Sequence, residues 1–187
     1  MALYNKLIKN GTEVFVYFTS NGSLLDRKMA SRAKNVWHAT YFQITIDDLG
    51  EEYNKVKKYL NKKYNYERVI ENIEYLLEEK IQVILRINYY SNEVSKVKKI
   101  IDELSPKFLK YIKSGLLIFY PAPIFETNSK SCSNCSKVYN MSEPAKYLIE
   151  KGLVNEEDAL NLKFKGGQCY ACHQGSFVVS PKGDLYK

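Results

Sequence analysis

The sequence predicts an α/β fold with about four parallel strands, followed by a small cysteine-bearing α+β segment. Three observations lead there. Short apolar runs rich in β-branched and aromatic residues recur along the first 120 residues. Stretches of helical period lie between them. The apolar runs are nearly continuous rather than alternating, which suits strands covered on both faces and paired in parallel through crossover helices.

The elements follow in order. Val14-Phe15-Val16-Tyr17-Phe18-Thr19 reads as a buried strand and Ser20-Asn21-Gly22 as its turn. Leu24 to Ala33 reads as a helix, and Tyr41-Phe42-Gln43-Ile44-Thr45-Ile46 as the next strand, ending at Asp47-Asp48. After a lysine-rich stretch, Val69, Ile70, Ile73, Leu76 and Leu77 fall on one face of a helix that opens at Tyr66. Ile81 to Ile87 is a third strand. Val94, Val97, Ile100, Ile101 and Leu104 mark another amphipathic helix, which Ser105-Pro106 is expected to stop. Leu116 to Tyr120 is the fourth strand, ended by Pro121-Ala122-Pro123.

The character changes at Pro121, which places a domain boundary between residues 1–120 and 121–187. The second part begins as a polar loop. A helix is expected to start near Ser142 with Pro144 early in it and to end at Gly152, and a second short helix to run from Asn155 to about Leu162. Ser176 to Val179 and Leu185 to Lys187 flank a turn and read as a hairpin.

Hydrophobic residues make up 45% of the 187, enough for a core, and the net charge is +7. That charge permits contact with nucleic acid, but the lysines are scattered along helical stretches in the manner of a solvated face, which weighs against such a partner. No apolar run approaches the ~20 residues of a membrane span, and the N-terminus lacks the apolar core of a signal peptide. A cytoplasmic location follows as the expectation. In that reducing compartment, paired cysteines favour metal or redox work over disulfides.

The four cysteines form two C-x-x-C pairs, Cys132 with Cys135 and Cys169 with Cys172. Two residues between thiolates let one turn aim both sulfurs at one ion, so the set is a candidate soft-metal site. Zinc and an iron-sulfur cluster both remain open, as does a redox dithiol at Cys169 and Cys172. His173 could substitute as a ligand, although a neighbour of Cys172 usually points away; His38, beside Trp37, reads as structural.

In a parallel α/β sheet, ligands bind beyond the carboxyl ends of the strands. The polar residues that recur there are Asn21, Thr45, Asp47, Arg86 and Asn88. These stretches also carry a family resemblance. Phe18-Thr19-Ser20-Asn21-Gly22-Ser23-Leu24-Leu25 resembles the T-N-G-x-L-L strand and loop of radical SAM enzymes. Gln43-Ile44-Thr45-Ile46-Asp47 resembles their Q-I-S-L-D strand, with threonine in place of the usual serine. Tyr66 to Ile73 with Val83 to Asn88 resembles the next helix and strand, and Cys172 to Lys187 resembles the opening of the SPASM extension.

The resemblance implies a partial (β/α) barrel that binds S-adenosylmethionine, joined to the beginning of an auxiliary iron-sulfur domain. It implies that Thr45 and Arg86 touch the ribose and carboxylate of S-adenosylmethionine, with Asn21, Asp47 and Asn88 on the same rim. The family's C-x-x-x-C-x-x-C motif, which holds the reducing [4Fe-4S] cluster, has no counterpart in this sequence. The expectation is therefore a fragment that is inactive alone, belonging to an enzyme that reductively cleaves S-adenosylmethionine to modify a peptide, protein or small substrate. The missing N-terminal half of the barrel, or a second copy, would cover its open edge. The rival reading is a binding module for nucleic acid or protein, stapled by zinc at the four cysteines.

Overall fold

The computed structural model describes residues 2–90, 92–124 and 143–155, together with the backbone of 178–179 and 185–186. Helix α1 (Ala2–Lys9) comes first. Three strand-to-strand connections then build one sheet. Strand β1 (Val16–Ser20) leads through α2 (Arg27–Asn35) to β2 (Ala39–Thr45), and β2 leads through α3 (Gly50–Lys57) and α4 (Tyr66–Glu78) to β3 (Gln82–Tyr89). Helix α5 (Val94–Lys113) connects β3 to β4 (Leu117–Pro123). The strands lie in the order β1-β2-β3-β4, all parallel, in an open sheet. The α/β class and the four parallel strands expected from the sequence are therefore observed.

Side chains sort between the two faces with the two-residue period of a strand. Phe42, Ile44, Val83, Leu85, Ile87, Leu117 and Phe119 are buried. They share the core with Val69, Ile73 and Leu76 of α4 and with Val97, Ile100, Ile101, Leu104 and Phe108 of α5. The alternating residues Gln43, Thr45, Ile84, Arg86, Asn88, Ile118 and Tyr120 make up the opposite, partly exposed face. Burial is one-sided among the described residues, unlike the covering of both faces expected from the unbroken apolar runs, and the polar side chains collect on the less covered face.

Local chemistry fixes the helix starts. Asp26 caps α2 by accepting from Met29 N at 2.8 Å, and Asn65 caps α4 by accepting from Arg68 N at 3.0 Å. The expected stop at Pro106 is wrong, because α5 runs through it to Lys113. An interior proline costs a helix ~3 kcal/mol. Here the apolar stripe of Leu104 continues through Phe108 and Ile112, all buried, while the Pro106 ring sits on the exposed side. Burial of those two further side chains, ~1.5–3 kcal/mol each, offsets the penalty.

Strand β4 likewise outlasts its expected end at Pro121, pairing Pro121 with Ile87 and Pro123 with Tyr89. Ile124 N donates to Tyr89 O at 2.8 Å, so the amides of alternate residues before it face β3. Pro121 and Pro123 occupy the positions between, where the absent N–H groups would have pointed off the sheet edge. Proline costs no ladder bond there.

The chain divides into two compact units, Met1–Cys135 and Ser136–Lys187. In the second, α6 (Glu143–Glu150) carries Pro144 in its first turn. It ends in a glycine cap: Gly152, at φ +65°, donates to Ile149 O at 2.8 Å and Leu153 N to Leu148 O at 3.0 Å. Strands β5 (Val178–Val179) and β6 (Leu185–Tyr186) pair antiparallel, as the hairpin reading expects. The short helix expected after Asn155 lies outside the described residues.

Candidate functional site

The polar residues expected at the strand ends converge on two adjacent strands. Thr45, the last residue of β2, is the cross-strand partner of Arg86, and Ile46 N donates to Arg86 O at 2.9 Å. Arg86 in turn faces Tyr120 of β4. Asn88 lies two residues beyond Arg86 on the same face. Its Oδ1 accepts from Arg86 Nε at 2.9 Å, and its Nδ2 donates to Asp47 Oδ1 at 3.2 Å. The other carboxylate oxygen of Asp47 meets Lys57 Nζ at 2.5 Å. Four of the five expected rim residues thus share one corner of the sheet.

Asp47 does not cap the helix that follows. Leu49 is the N-cap of α3, with no side-chain cap bond, while Lys57 in the last turn of α3 is the residue that returns to Asp47. Lys57 Nζ also sits 5.5 Å from the centroid of the Tyr53 ring. Tyr53 is fully buried and its hydroxyl lies 3.1 Å from that of Tyr59. Burial first, then the hydrogen bond with Tyr59, raises the Tyr53 phenol far above its ordinary range, so it stays neutral beside the ion pair.

Among the described residues, no side chain pairs with the two terminal nitrogens of Arg86 or with the Thr45 hydroxyl. A guanidinium held by its Nε and open at its terminal nitrogens is preset for a planar anion. Within this chain of contacts Lys57 balances Asp47, and Arg86 is the second cation.

Asn21 stands apart from this group. It follows Ser20, whose partner Ile44 directly precedes Thr45, so it reaches the same rim. Its Oδ1, however, is spent on its own loop, accepting from Ser23 N at 3.1 Å and Ser23 Oγ at 2.9 Å. The loop is pinned from below by Asn72 of α4, which is fully buried and donates through Nδ2 to Gly22 O at 2.8 Å and Ser23 O at 3.2 Å. Gly22 has φ +78°, and a Cβ there would lie 3.1 Å from Val69 Cγ1 and 3.2 Å from Ile44 Cγ2. Glycine is therefore required both by the backbone and by the space.

Lys57 and Asn72 escape a reading by sequence. Lys57 is one lysine among many. Asn72 carried a signal, since it falls within the apolar stripe that runs from Val69 to Leu77, and a polar residue there implies a buried hydrogen bond. The four cysteines and His173 lie outside the described residues, and among those described no group of three or more His, Cys, Asp or Glu could hold a metal ion. His38 stacks on Tyr4 with ring centroids 4.3 Å apart. No described helix is long and apolar enough to cross a membrane.

The family model for the radical SAM superfamily matches residues 1–112. No curated protein matches the chain. Among solved structures, histidine-tagged anSMEcpe with bound AdoMet is similar over 86% of this chain and 44% of that one, at 19% identity and a TM-score of 0.47. Native anSMEcpe with bound AdoMet and a bound peptide is similar over the same shares, at 19% identity and a TM-score of 0.44. The chain spans less than half the length of either.

Proposed function

The chain belongs to the radical SAM superfamily, and from that membership we propose that its sheet rim binds S-adenosylmethionine within an enzyme that modifies a peptide, protein or small substrate. One observation carries the reading: Arg86, fixed through Nε by Asn88, has no described partner at its terminal nitrogens and stands across from Thr45. The fork suits the carboxylate of S-adenosylmethionine, and the Thr45 hydroxyl suits a ribose hydroxyl. Asn21 and its loop border that position. Bound beside a reducing iron-sulfur cluster, S-adenosylmethionine would supply hydrogen-atom abstraction after its one-electron reductive cleavage.

This chain's described residues bind and orient; none of them is a thiolate, and no redox step is assigned to them. For Cys132, Cys135, Cys169 and Cys172 the proposal is a soft-metal site, iron-sulfur by family membership, which rests on their spacing. The partner we propose is a polypeptide that covers the half-exposed sheet face, supported by the burial of only one face among the described residues.

Isothermal titration of the protein with S-adenosylmethionine tests the reading. Arg86→Leu should weaken binding by roughly 10- to 100-fold, the scale of hydrogen bonds to a charged group. Thr45→Val should weaken it by roughly threefold to tenfold, the scale of a neutral bond. Equal affinity in the wild type and Arg86→Leu would refute the assignment.

A further inference from the structure

We infer that Lys57 is a positioning residue for Arg86, acting by holding the Asp47 carboxylate away from it. The inference rests on the reading that this rim receives the aminocarboxylate of S-adenosylmethionine. Three links carry it: Lys57 Nζ to Asp47 Oδ2 at 2.5 Å, Asp47 Oδ1 to Asn88 Nδ2 at 3.2 Å, and Asn88 Oδ1 to Arg86 Nε at 2.9 Å.

Asp47, two residues past the end of β2, and Arg86 on the neighbouring β3 meet at the same corner. A carboxylate beside a guanidinium prefers the direct two-point pair, which would fill the terminal nitrogens of Arg86 and cancel its charge. Two features prevent that pairing. Asn88 lies between the two groups, offering its amide N–H to the acid and its oxygen to the base. Lys57 takes the second carboxylate oxygen and supplies the counter-charge that Asp47 would otherwise seek in Arg86. The Lys57 and Asp47 side chains are only 19% and 20% exposed, so water and salt screen the pair weakly. The Tyr53 ring, 5.5 Å from the Lys57 ammonium, adds a favourable contact.

Removing Lys57 leaves Arg86, reached through Asn88, as the remaining cation in this chain of contacts. The internal carboxylate then competes with the carboxylate of the ligand. Neutralising Asp47 as well removes the competitor, and an asparagine there can still accept from Asn88. The prediction therefore has a sign that a merely structural role lacks: the second substitution repairs the first.

The test is titration with S-adenosylmethionine and, separately, with 5′-methylthioadenosine, which keeps the nucleoside and lacks the aminocarboxylate. Lys57→Met should lower affinity for S-adenosylmethionine roughly tenfold, the scale of one charge-assisted bond, with methylthioadenosine unchanged. Lys57→Met with Asp47→Asn should return within about threefold of wild type, and Lys57→Arg should stay near it. An unchanged Lys57→Met, or equal loss for both ligands without repair by Asp47→Asn, overturns the inference.

A ligand-free measurement separates failure of the inference from failure of the binding reading. Arg86 is one of four arginines, so its guanidinium nitrogen resonances can be assigned. Rotation about its terminal C–N bonds should slow in Lys57→Met, where the direct ion pair forms, but not in wild type or the double variant. Slowed rotation with no ligand binding leaves Lys57 in its role and removes S-adenosylmethionine as the ligand. No change in rotation in Lys57→Met overturns the inference whatever binds.

Discussion

Replacing Asn72 by aspartate keeps the shape of the side chain and removes both donors that hold the loop after β1. Asn72 is fully buried, its Nδ2 serves the carbonyls of Gly22 and Ser23, and its Oδ1 has no partner among the described residues. Two lost bonds at a net of about 0.5–1.5 kcal/mol each amount to about 1–3 kcal/mol. The larger effect is charge, because the new carboxylate would face two carbonyl oxygens without water. Burial raises a carboxyl pKa, by up to about 3–5 units in full burial, and each unit corresponds to about 1.36 kcal/mol. A rise of about two to three units therefore adds about 3–4 kcal/mol at neutral pH.

The sign follows from linkage. With the folded-state pKa above the unfolded value of ~3.9, the charge penalty is absent at lower pH. It grows as pH rises from there to the folded-state pKa, and is constant beyond. Asn72→Leu supplies the control. It loses the same two donors and adds no charge, so it should be less stable than wild type by about 1–3 kcal/mol, by the same amount at every pH. Urea unfolding followed by circular dichroism between about pH 4 and pH 8 reads both variants. A difference between Asn72→Asp and wild type that does not widen with pH would refute the reasoning, as would an Asn72→Leu less stable than Asn72→Asp at the alkaline end.

Three further outcomes follow from the fold. Gly22→Ala must place a Cβ 3.1 Å from Val69 Cγ1 at φ +78°; it should lower the unfolding free energy by about 1–3 kcal/mol in urea. Pro106→Ala restores an amide to the exposed side of α5 and should stabilise the protein by about 1–3 kcal/mol, read as a higher thermal midpoint. The Tyr66 phenol is pushed up to about 12 by burial, with Glu103 and Glu67 adding to it. Its contribution to stability is complete below pH ~10 and is lost as pH climbs towards its folded value, so Tyr66→Phe should resist alkaline unfolding better than wild type.

The sheet was legible because its buried strands are written as unbroken apolar runs, and α4 because Val69, Ile70, Ile73, Leu76 and Leu77 keep the helical period. The errors at Pro106 and Pro121 share one cause. A proline rule describes a local cost, whereas Phe108 and Ile112 bury themselves in the core and the ring of Pro106 does not, and the missing donor of Pro121 falls on an edge that pairs with no other described strand. Neither circumstance can be seen without the tertiary packing. The corner at Arg86 was partly legible, since position at a strand end requires only topology. The partners within it were not: Lys57 is marked out from the neighbouring lysines only when the chain beyond α3 brings Asp47 and Asn88 together.

The two edges of the sheet differ in a way that bears on the proposed covering polypeptide. At β4, Pro121 and Pro123 stand where outward amides would be, so an added strand would find two donors missing. At β1 the residues from Val16 to Ser20 include no proline, and β1 pairs with β2 alone among the described strands. Tyr17 on that strand is 46% exposed and stacks on Tyr41 with centroids 5.1 Å apart, which gives the less covered face an aromatic border there. Among the described strands, backbone pairing is therefore unused on the β1 side and hindered on the β4 side. A polypeptide that extends this sheet would join at β1, and its first new strand would lie beside β1 and the Asn21 loop, one strand removed from Thr45, bringing whatever it carries towards the end of the rim at which ribose binding is proposed.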